Sequence, residues 1–330
     1  MQTIQDAFAA PDLPKEPVVT IGNYDGVHLG QQAVLRHVVE RAKELDTFSA
    51  VVTFEPHPLK VLRPEAAPVA LTTAAQKRKL IEEQGIDFLL ILRFDTELSR
   101  LSAQAFVEDF LVGRLGVQEV FVGSDFSFGR DREGDLSRLR ELGNELGFTA
   151  DAVDEVRSKG ARVSSTMIRG LVEGGAVDRA LELLGRPYAL TGTVVRGDRM
   201  GQRLGWPTIN LDAENELIPA EGVYATRVEF PSFPTVFDGV TNIGTRPTVY
   251  ENYQQVVETH ILEFRSDVYG EEVQVSFYRR LRDEKLFRSM MDLSEQISKD
   301  VDSARDFFRG LEAESGPVLA RGGLPPFPWS

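Results

Sequence analysis

Along the first half of the chain, apolar residues come in short unbroken runs separated by longer stretches of helical spacing. The runs are "PVVTI" (17–21), "SAVVTF" (49–54), "DFLLIL" (87–92) and "QEVFVG" (118–123). Between and after them the spacing predicts helices over 30–46, 73–84, 103–115 and 135–147. Unbroken apolar strands alternating with amphipathic helices describe a parallel sheet covered on both faces. Such sheets bind ligands beyond the carboxyl ends of their strands. The unusual residue types fall there: "GNYDGVH", "EPHP" and "GSDFSFG" each directly follow a run.

After about residue 187 the period changes. "YALTGTVVRG", "PTINL", "GVYATRVEF", "VFDGVTNIG", "VVETHILEF" and "EEVQVSFYRRLR" read as strands separated by Gly, Pro and Asn turns. No helical spacing intervenes, so their pairing should be mostly antiparallel, as in a small barrel or sandwich. The amphipathic stretch "LFRSMMDLSEQISKDVDSARDFFRGL" then covers one side of that sheet. The hinge is expected near "LLGRPY" (183–188), which gives domains 1–184 and 185–312. The Gly/Pro-rich remainder, 313–330, is expected to be a flexible tail.

Composition narrows the partners. A length of 330 residues supports two cores. A formal charge of −14 argues against holding a nucleic-acid backbone. Small phosphorylated ligands remain open, because they need only a local cation or a cradle of N–H groups. The chain has no cysteine, which removes disulfides, thiolate catalysis and Cys-zinc sites. It carries neither a signal-peptide pattern nor an apolar run long enough for a bilayer. A soluble, cytoplasmic protein with no nucleic-acid or membrane partner is expected, as a monomer or with weak self-association.

Candidate chemistry lies in a few stretches. There is no G-x-x-x-x-G-K-[ST] and no G-x-G-x-x-G after a strand, so any nucleotide is held in another way. Gly22, Gly26 and Gly30 let backbone approach a ligand, the following helix offers free N–H groups, and His28 adds a donor. The same residues equally suit a tight turn with His28 as a solvated cap. Of the four histidines, His28, His57 and His260 sit in unusual stretches, while His37 lies within a helix. "RVSSTMIRG" (162–170) reads as a capped helix, or as an anion site flanked by Arg162 and Arg169. In "GDRMGQRLGWPTINL" (197–211), alternation puts Thr208 and Asn210 on one face, where their oxygens suit Mg²⁺. In "VVETHILEF", Glu258 and His260 also share a face, and Glu258 is either solvent-facing or a positioned base.

Taken in order, "TIGNYDGVHLG", "TFEPHP", "VGSDFSFGRDREGD", "RVSSTMIR", "GQRLGWPTINL", "GVYATRV", "TNIGTRPT", "ETHILEF" and "FYRRLRDEKLF" resemble the bacterial bifunctional riboflavin kinase/FMN adenylyltransferase (FAD synthetase) family. The likeness runs from about residue 17 to about residue 310. It implies an α/β architecture: an N-terminal Rossmann-like nucleotidyltransferase domain that joins FMN to the AMP of ATP, giving FAD and pyrophosphate. It implies a C-terminal six-stranded antiparallel β-barrel with a C-terminal helix, which moves the γ-phosphate of ATP to riboflavin. Mg²⁺ would serve both reactions.

The resemblance also assigns residues. It places Gly22, Asp25, Gly26, His28, Gly30 and Gln31 at the adenylylating ATP, with Ser165, Thr166 and Arg169 in a second phosphate motif. His28, Asp125 and Arg162 would act in adenylyl transfer. Phe54, Pro56, Pro58 and Phe128 would pack the flavin. In the kinase, Gly201, Arg203, Thr208 and Asn210 would bind nucleotide, Thr208 and Asn210 would hold Mg²⁺, and Glu258 would be the base for the ribityl hydroxyl.

Two departures from the family pattern stand out. Position 31 is Gln where His is usual, and Gln donates a hydrogen bond but carries no proton or charge. The usual Gly-Arg-x-Leu reads Gly201-Gln202-Arg203-Leu204, so the Arg is displaced by one. Tyr24 for Phe is a mild change. The alternatives are therefore a riboflavin kinase with weak or lost adenylyltransferase activity, and a non-catalytic flavin or nucleotide sensor.

Overall fold

The apolar runs of the first half become the strands of one parallel sheet in the computed structural model, which describes residues 1–158, 160–198, 200–247 and 253–315. The chain divides into two compact units, Met1–Ser165 and from Thr166 onward. In the first, β1 (Gln2–Ile4), β2 (Val18–Ile21), β3 (Ser49–Glu55), β4 (Phe88–Arg93), β5 (Glu119–Gly123) and β6 (Thr149–Val153) lie in the order β1-β4-β3-β2-β5-β6. Every pairing is parallel. Both faces are covered. Val19, Ile21, Val52 and Leu90 pack toward Phe106, Phe110 and Leu139, while Val18, Val51, Leu89 and Ile91 pack toward Leu35, Val38 and Ile81. That explains why these strands read as apolar without alternation.

The helices end where the sequence signals an end. Helix α1 (Leu29–Glu44) buries Val34, Leu35, Val38, Val39 and Ala42, one stripe at helical spacing. Helix α2 (Ala74–Glu82) opens on a Thr73/Gln76 capping box. Helix α3 (Leu136–Leu146) is capped by Asp135 and stops at Gly147 in the left-handed region. The expected helix 103–115 is instead a short α-turn, Ala103–Phe106, that widens into a π-helical stretch, Val107–Val112. Its apolar residues Val107, Phe110 and Leu111 still face the sheet, so the extra residue per turn keeps the stripe buried.

In the second unit, α4 (Ser165–Glu173) runs on from the first, and α5 (Val177–Leu184) ends at Gly185. Strands β7 (Tyr188–Val195), β8 (Ile209–Ala213), β9 (Gly222–Glu229), β10 (Phe237–Pro247), β11 (Tyr253–Ile261) and β12 (Glu272–Arg282) close into an antiparallel barrel, order β7-β8-β11-β10-β9-β12. Helix α6 (Met290–Ser315) lays Val301, Ala304 and Phe308 on the outward Val223, Ala225 and Val240. The alternate residues Thr226, Thr241 and Thr259 point inward, fully buried, and their hydroxyls form a chain of 2.7 and 2.8 Å contacts. Helix α6 runs to Ser315, past the expected domain end at 312, and the rest of the expected tail lies outside the described residues.

A buried ion pair fixes α6. Asp300 accepts from Arg282 Nη2 (2.7 Å) and Nε (2.9 Å), and from Gln296 Nε2 (2.9 Å). The Asp300 side chain is only 6% exposed. Asp300→Ala strands the Arg282 charge and is expected to lower stability by about 3–5 kcal/mol. Denaturant unfolding checks this, and a loss below about 1 kcal/mol would show the pair to be solvated.

Candidate active sites

Strand β2 has β3 on one side and β5 on the other, so the direction of winding reverses between β2 and β5. The loops after those two strands therefore flank the crevice where α/β sheets take ligands. After β2 the chain makes a tight turn, with Tyr24, Gly26 and Val27 all at positive φ. Gly26, at φ 88°, is the member that meets this without steric cost. Tyr24 is buried, its hydroxyl 2.6 Å from Thr20 Oγ1, and burial pushes its phenol above the usual range.

His28 is the N-cap of α1. Its Nδ1 accepts from Gln31 N (3.3 Å), and Gln31 Oε1 accepts from His28 N (3.1 Å). Gln31 thus completes a capping box, a task the sequence did not reveal. Because Nδ1 accepts, neutral His28 carries its proton on Nε2. Gly30 sits under the imidazole, where an added Cβ would be 3.2 Å from His28 Cε1. Gln32 is engaged locally, its Nε2 donating to Val27 O at 2.8 Å.

Asp25 lies at this turn, but its carboxylate clamps the neighbouring loop. It accepts from Leu71 N (2.9 Å) and Thr72 N (3.3 Å). Ser165 Oγ donates to Asp25 O (2.8 Å), which ties the Ser-Ser-Thr segment to the turn. Thr166 and Arg169 follow on α4. The "EPHP" segment also reaches the turn, with Asn23 Nδ2 and His57 Nε2 3.1 Å apart. Helix α2 adds Lys77, which sequence reasoning missed. Its ammonium is 3.7 Å from Glu55 Oε1, and burial pushes it below the usual lysine range against the opposing pull of Glu55 and Asp25.

Beyond β5, Arg162 pairs with Asp125 at 2.5 Å and with Glu155 at 3.6 Å. The hydrogen bond to Asp125 raises the guanidinium further above its ordinary value. Glu155 is held below the usual carboxylate range by Ser124, Arg162 and Arg157. Arg162 is therefore a permanent, oriented cation at the crevice edge.

A cavity of about 690 Å³ lies beside these loops. It brings together Phe54, Pro58 and Phe128 of the expected flavin set, with Phe94, Phe106 and Phe126 as further aromatic walls. Pro56 does not line it and is exposed at the end of β3.

In the second unit, β8, β11 and β10 set Asn210 opposite Glu258, and Glu258 opposite Asn242. Alternation from Val240 puts Glu258 and His260 on the outer face, the α6 side. Thr208 stands one residue before β8. Gly197 presses on Asn210, where a Cβ would fall 2.3 Å from Nδ2 and 2.6 Å from Oδ1. Gly201 accepts from the amides of Leu204 and Trp206 (3.0 and 2.8 Å) and closes a tight turn over Thr208, while Arg203 is exposed on it. A cavity of about 580 Å³ is lined by Thr208, Gln202, Thr259, Phe264, Asp267 and Tyr269 among others. Asn242 and the 264–269 segment were not among the expected candidates: strand pairing brings Asn242 beside Glu258, and the loop after β11 brings 264–269 to the cavity.

His260 Nδ1 donates to Pro207 O (2.8 Å), just before Thr208. Burial lowers its pKa, against a smaller rise from that bond. Well above pH 6.5 the imidazole is neutral in both folded and unfolded states. Below it the unfolded chain takes the proton first, so stability falls with pH. His260→Asn is expected to flatten the fall in melting temperature between pH 7 and pH 5, and an unchanged slope would count against it.

Residues 10–167 match the FAD synthetase family model and residues 184–308 the riboflavin kinase model. A Pseudomonas fluorescens protein named bifunctional riboflavin kinase/FMN adenylyltransferase is 43% identical, over 87% of this chain and 92% of its own. The Escherichia coli K12 protein of the same name is 38% identical over 93% and 98%. A crystal structure described as a macrolide-efflux protein from Streptococcus pneumoniae has a TM-score of 0.82 at 27% identity, covering 92% of this chain and 98% of that one. No helix among the described residues is long and apolar enough to cross a membrane.

Proposed function

The chain belongs to the bifunctional riboflavin kinase/FMN adenylyltransferase family, and on that premise we propose that its two units run two successive transfers, riboflavin to FMN and FMN to FAD. The observation that carries the kinase half is the register that sets Asn210 opposite Glu258, beneath a glycine that leaves no room for a Cβ.

In the kinase, Glu258 takes the proton from the ribityl hydroxyl. The oxygen attacks the γ-phosphorus of ATP, and ADP leaves. ATP occupies the cavity shared by Thr208 and Gln202, where Phe264 and Tyr269 offer faces for the base. Gly201 and exposed Arg203 cover its phosphates. Magnesium fits here. The described residues contain no cluster of His, Asp or Glu able to hold a metal alone, whereas Thr208 and Asn210 present the sparse oxygen set that suits Mg²⁺ shared with phosphates. When bound, Mg²⁺ would neutralise charge on the phosphates. The chain's own residues orient the nucleotide and remove the proton.

In the first unit, an FMN phosphate oxygen attacks the α-phosphorus of ATP and pyrophosphate leaves. A phosphate monoester is already ionised near pH 7, so this step needs no general base. What it needs is charge stabilisation. His28 Nε2–H, the N-terminus of α1 and Arg162 supply it, with Asp125 and Glu155 holding Arg162. Ser165, Thr166 and Arg169 join the phosphates by their motif. Gly22 and Gly30 let the turn come close, and Asp25 shapes it. The ring of FMN packs among Phe54, Pro58 and Phe128, with Pro56 outside the contact.

Given riboflavin, ATP and Mg²⁺, the protein is expected to release FMN and ADP. Given FMN instead, it is expected to release FAD and pyrophosphate. Flavin binding without either product overturns the reading. A second reading, a kinase with weak adenylyl transfer, is motivated by Gln31. The capping box uses the Gln31 carbonyl and leaves the amide nitrogen as a neutral donor to phosphate. Gln31→Leu is expected to slow FAD formation about tenfold, the value of one hydrogen bond, with FMN formation unchanged. Steady-state rates of both steps check this, and an unaltered FAD rate would remove Gln31 from the site.

A further inference from the structure

The aromatic cavity of the first unit has a polar rim with an unusual backbone. The segment 129–134 is pinned at both ends to one short stretch. Arg130 N donates to Leu101 O (2.8 Å), and Glu133 Oε1 accepts from Ala103 N (2.9 Å). Gly129 packs so closely that a Cβ would fall 2.5 Å from Ala103 N. Between the pins, Asp131 (φ 55°) and Arg132 (φ 61°) are consecutive residues in the left-handed region. Neither is glycine, and arginine has no local hydrogen bond of its own to favour that region. Backbone of this kind is retained where the surroundings hold it, commonly at ligand clamps.

Both residues line the cavity. Arg132 Nε donates to Ser127 Oγ (2.7 Å), also a lining residue, which holds the guanidinium at the rim. A carboxylate and a guanidinium thus stand side by side against walls that are otherwise mainly Phe, Leu and Pro.

The flavin ring system has the matching asymmetry. One end is a dimethylbenzene ring without polar groups. The other end carries carbonyl, N–H and carbonyl in sequence, that is, acceptor, donor, acceptor. Resting on the assignment of this cavity to FMN, we propose that Asp131 and Arg132 are specificity-determining residues that read this edge. The Asp131 carboxylate accepts from the ring N3–H, and Arg132 donates to the adjacent carbonyl oxygen. The aromatic walls then take any flat apolar ring, and this pair selects a flavin.

The test uses the full-length protein, FMN and FMN methylated at N3. Asp131→Gly and Arg132→Asn both suit positive φ, so the turn is kept. The wild type is expected to favour FMN over the methylated form by at least about tenfold in kcat/KM of the adenylyl step, because a site built around a ring N–H is left unpaired by the methyl. Asp131→Gly is expected to cut that preference below about threefold, and Arg132→Asn to raise KM for FMN about tenfold. KM for ATP and FMN formation from riboflavin should not move in either. If Phe54→Ala raises KM for FMN while both rim variants keep wild-type KM and selectivity, the edge-reading proposal is overturned and the cavity assignment stands. If Phe54→Ala and Phe128→Ala also leave KM for FMN unchanged, the cavity assignment itself fails.

Discussion

Glu258→Gln is expected to lower the rate of FMN formation by about a thousandfold, within the range that a positioned general base contributes. The substitution keeps shape and one acceptor oxygen but removes the basic group. Asn210 and Asn242, its partners across the strands, remain in place, so the barrel should fold normally. Because the loss falls on proton removal, it should appear in kcat, with KM for ATP little changed. Conversion of added FMN to FAD should stay within about twofold of wild type, because every group assigned to that step lies outside the barrel. Separate assays with riboflavin and with FMN give both numbers. A folded variant that loses both activities would contradict the assignment of two sites.

Arg162→Ala is expected to have the converse effect, a loss of about a hundredfold or more in FAD formation with the kinase step intact. Removing one oriented donor to developing charge costs roughly 3 kcal/mol in rate. Here the variant also leaves the Asp125 carboxylate without its Arg162 partner beside the phosphates, which adds repulsion, while Glu155 keeps Arg157. Arg162→Lys should recover only part of the rate. An ammonium keeps the charge but lacks the planar fork that spans both carboxylates. Full recovery by Lys would mean that charge alone matters and that the Asp125 and Glu155 pairing has no catalytic consequence.

The sequence carried the sheet because its central strands are buried on both faces, which writes them as unbroken apolar runs. It missed β1, "QTI", and β6, "TADAV", for the same reason reversed. Both are edge strands with polar, part-exposed residues, and only pairing with β4 and β5 defines them. The helix expected over 103–115 failed on local geometry, since an apolar stripe does not distinguish α from π winding. Antiparallel pairing in the second half was legible from its turns, but these left barrel and sandwich open, and only the family resemblance pointed to the six-stranded barrel that the structure closes.

The site divides in the same way. His28, Arg162 and Glu258 were visible as candidates because unusual residue types stood directly after strands or inside the motifs of the resemblance. Asn242, Lys77 and the Asp131–Arg132 rim were not, because their meaning comes from register and packing. Gln31 is the sharpest case. As a residue type it read as a defect beside His28, whereas the fold makes it the partner that orients His28.

The two-site account is tested most directly by mixing. Glu258→Gln and Arg162→Ala proteins are prepared separately and supplied with riboflavin, ATP and Mg²⁺, alone and together, with flavins followed by chromatography. Alone, the first should leave riboflavin nearly untouched and the second should stop at FMN. Together they should form FAD, because FMN released by one chain is adenylylated by the other. A mixture of folded proteins that forms no FAD would contradict the account.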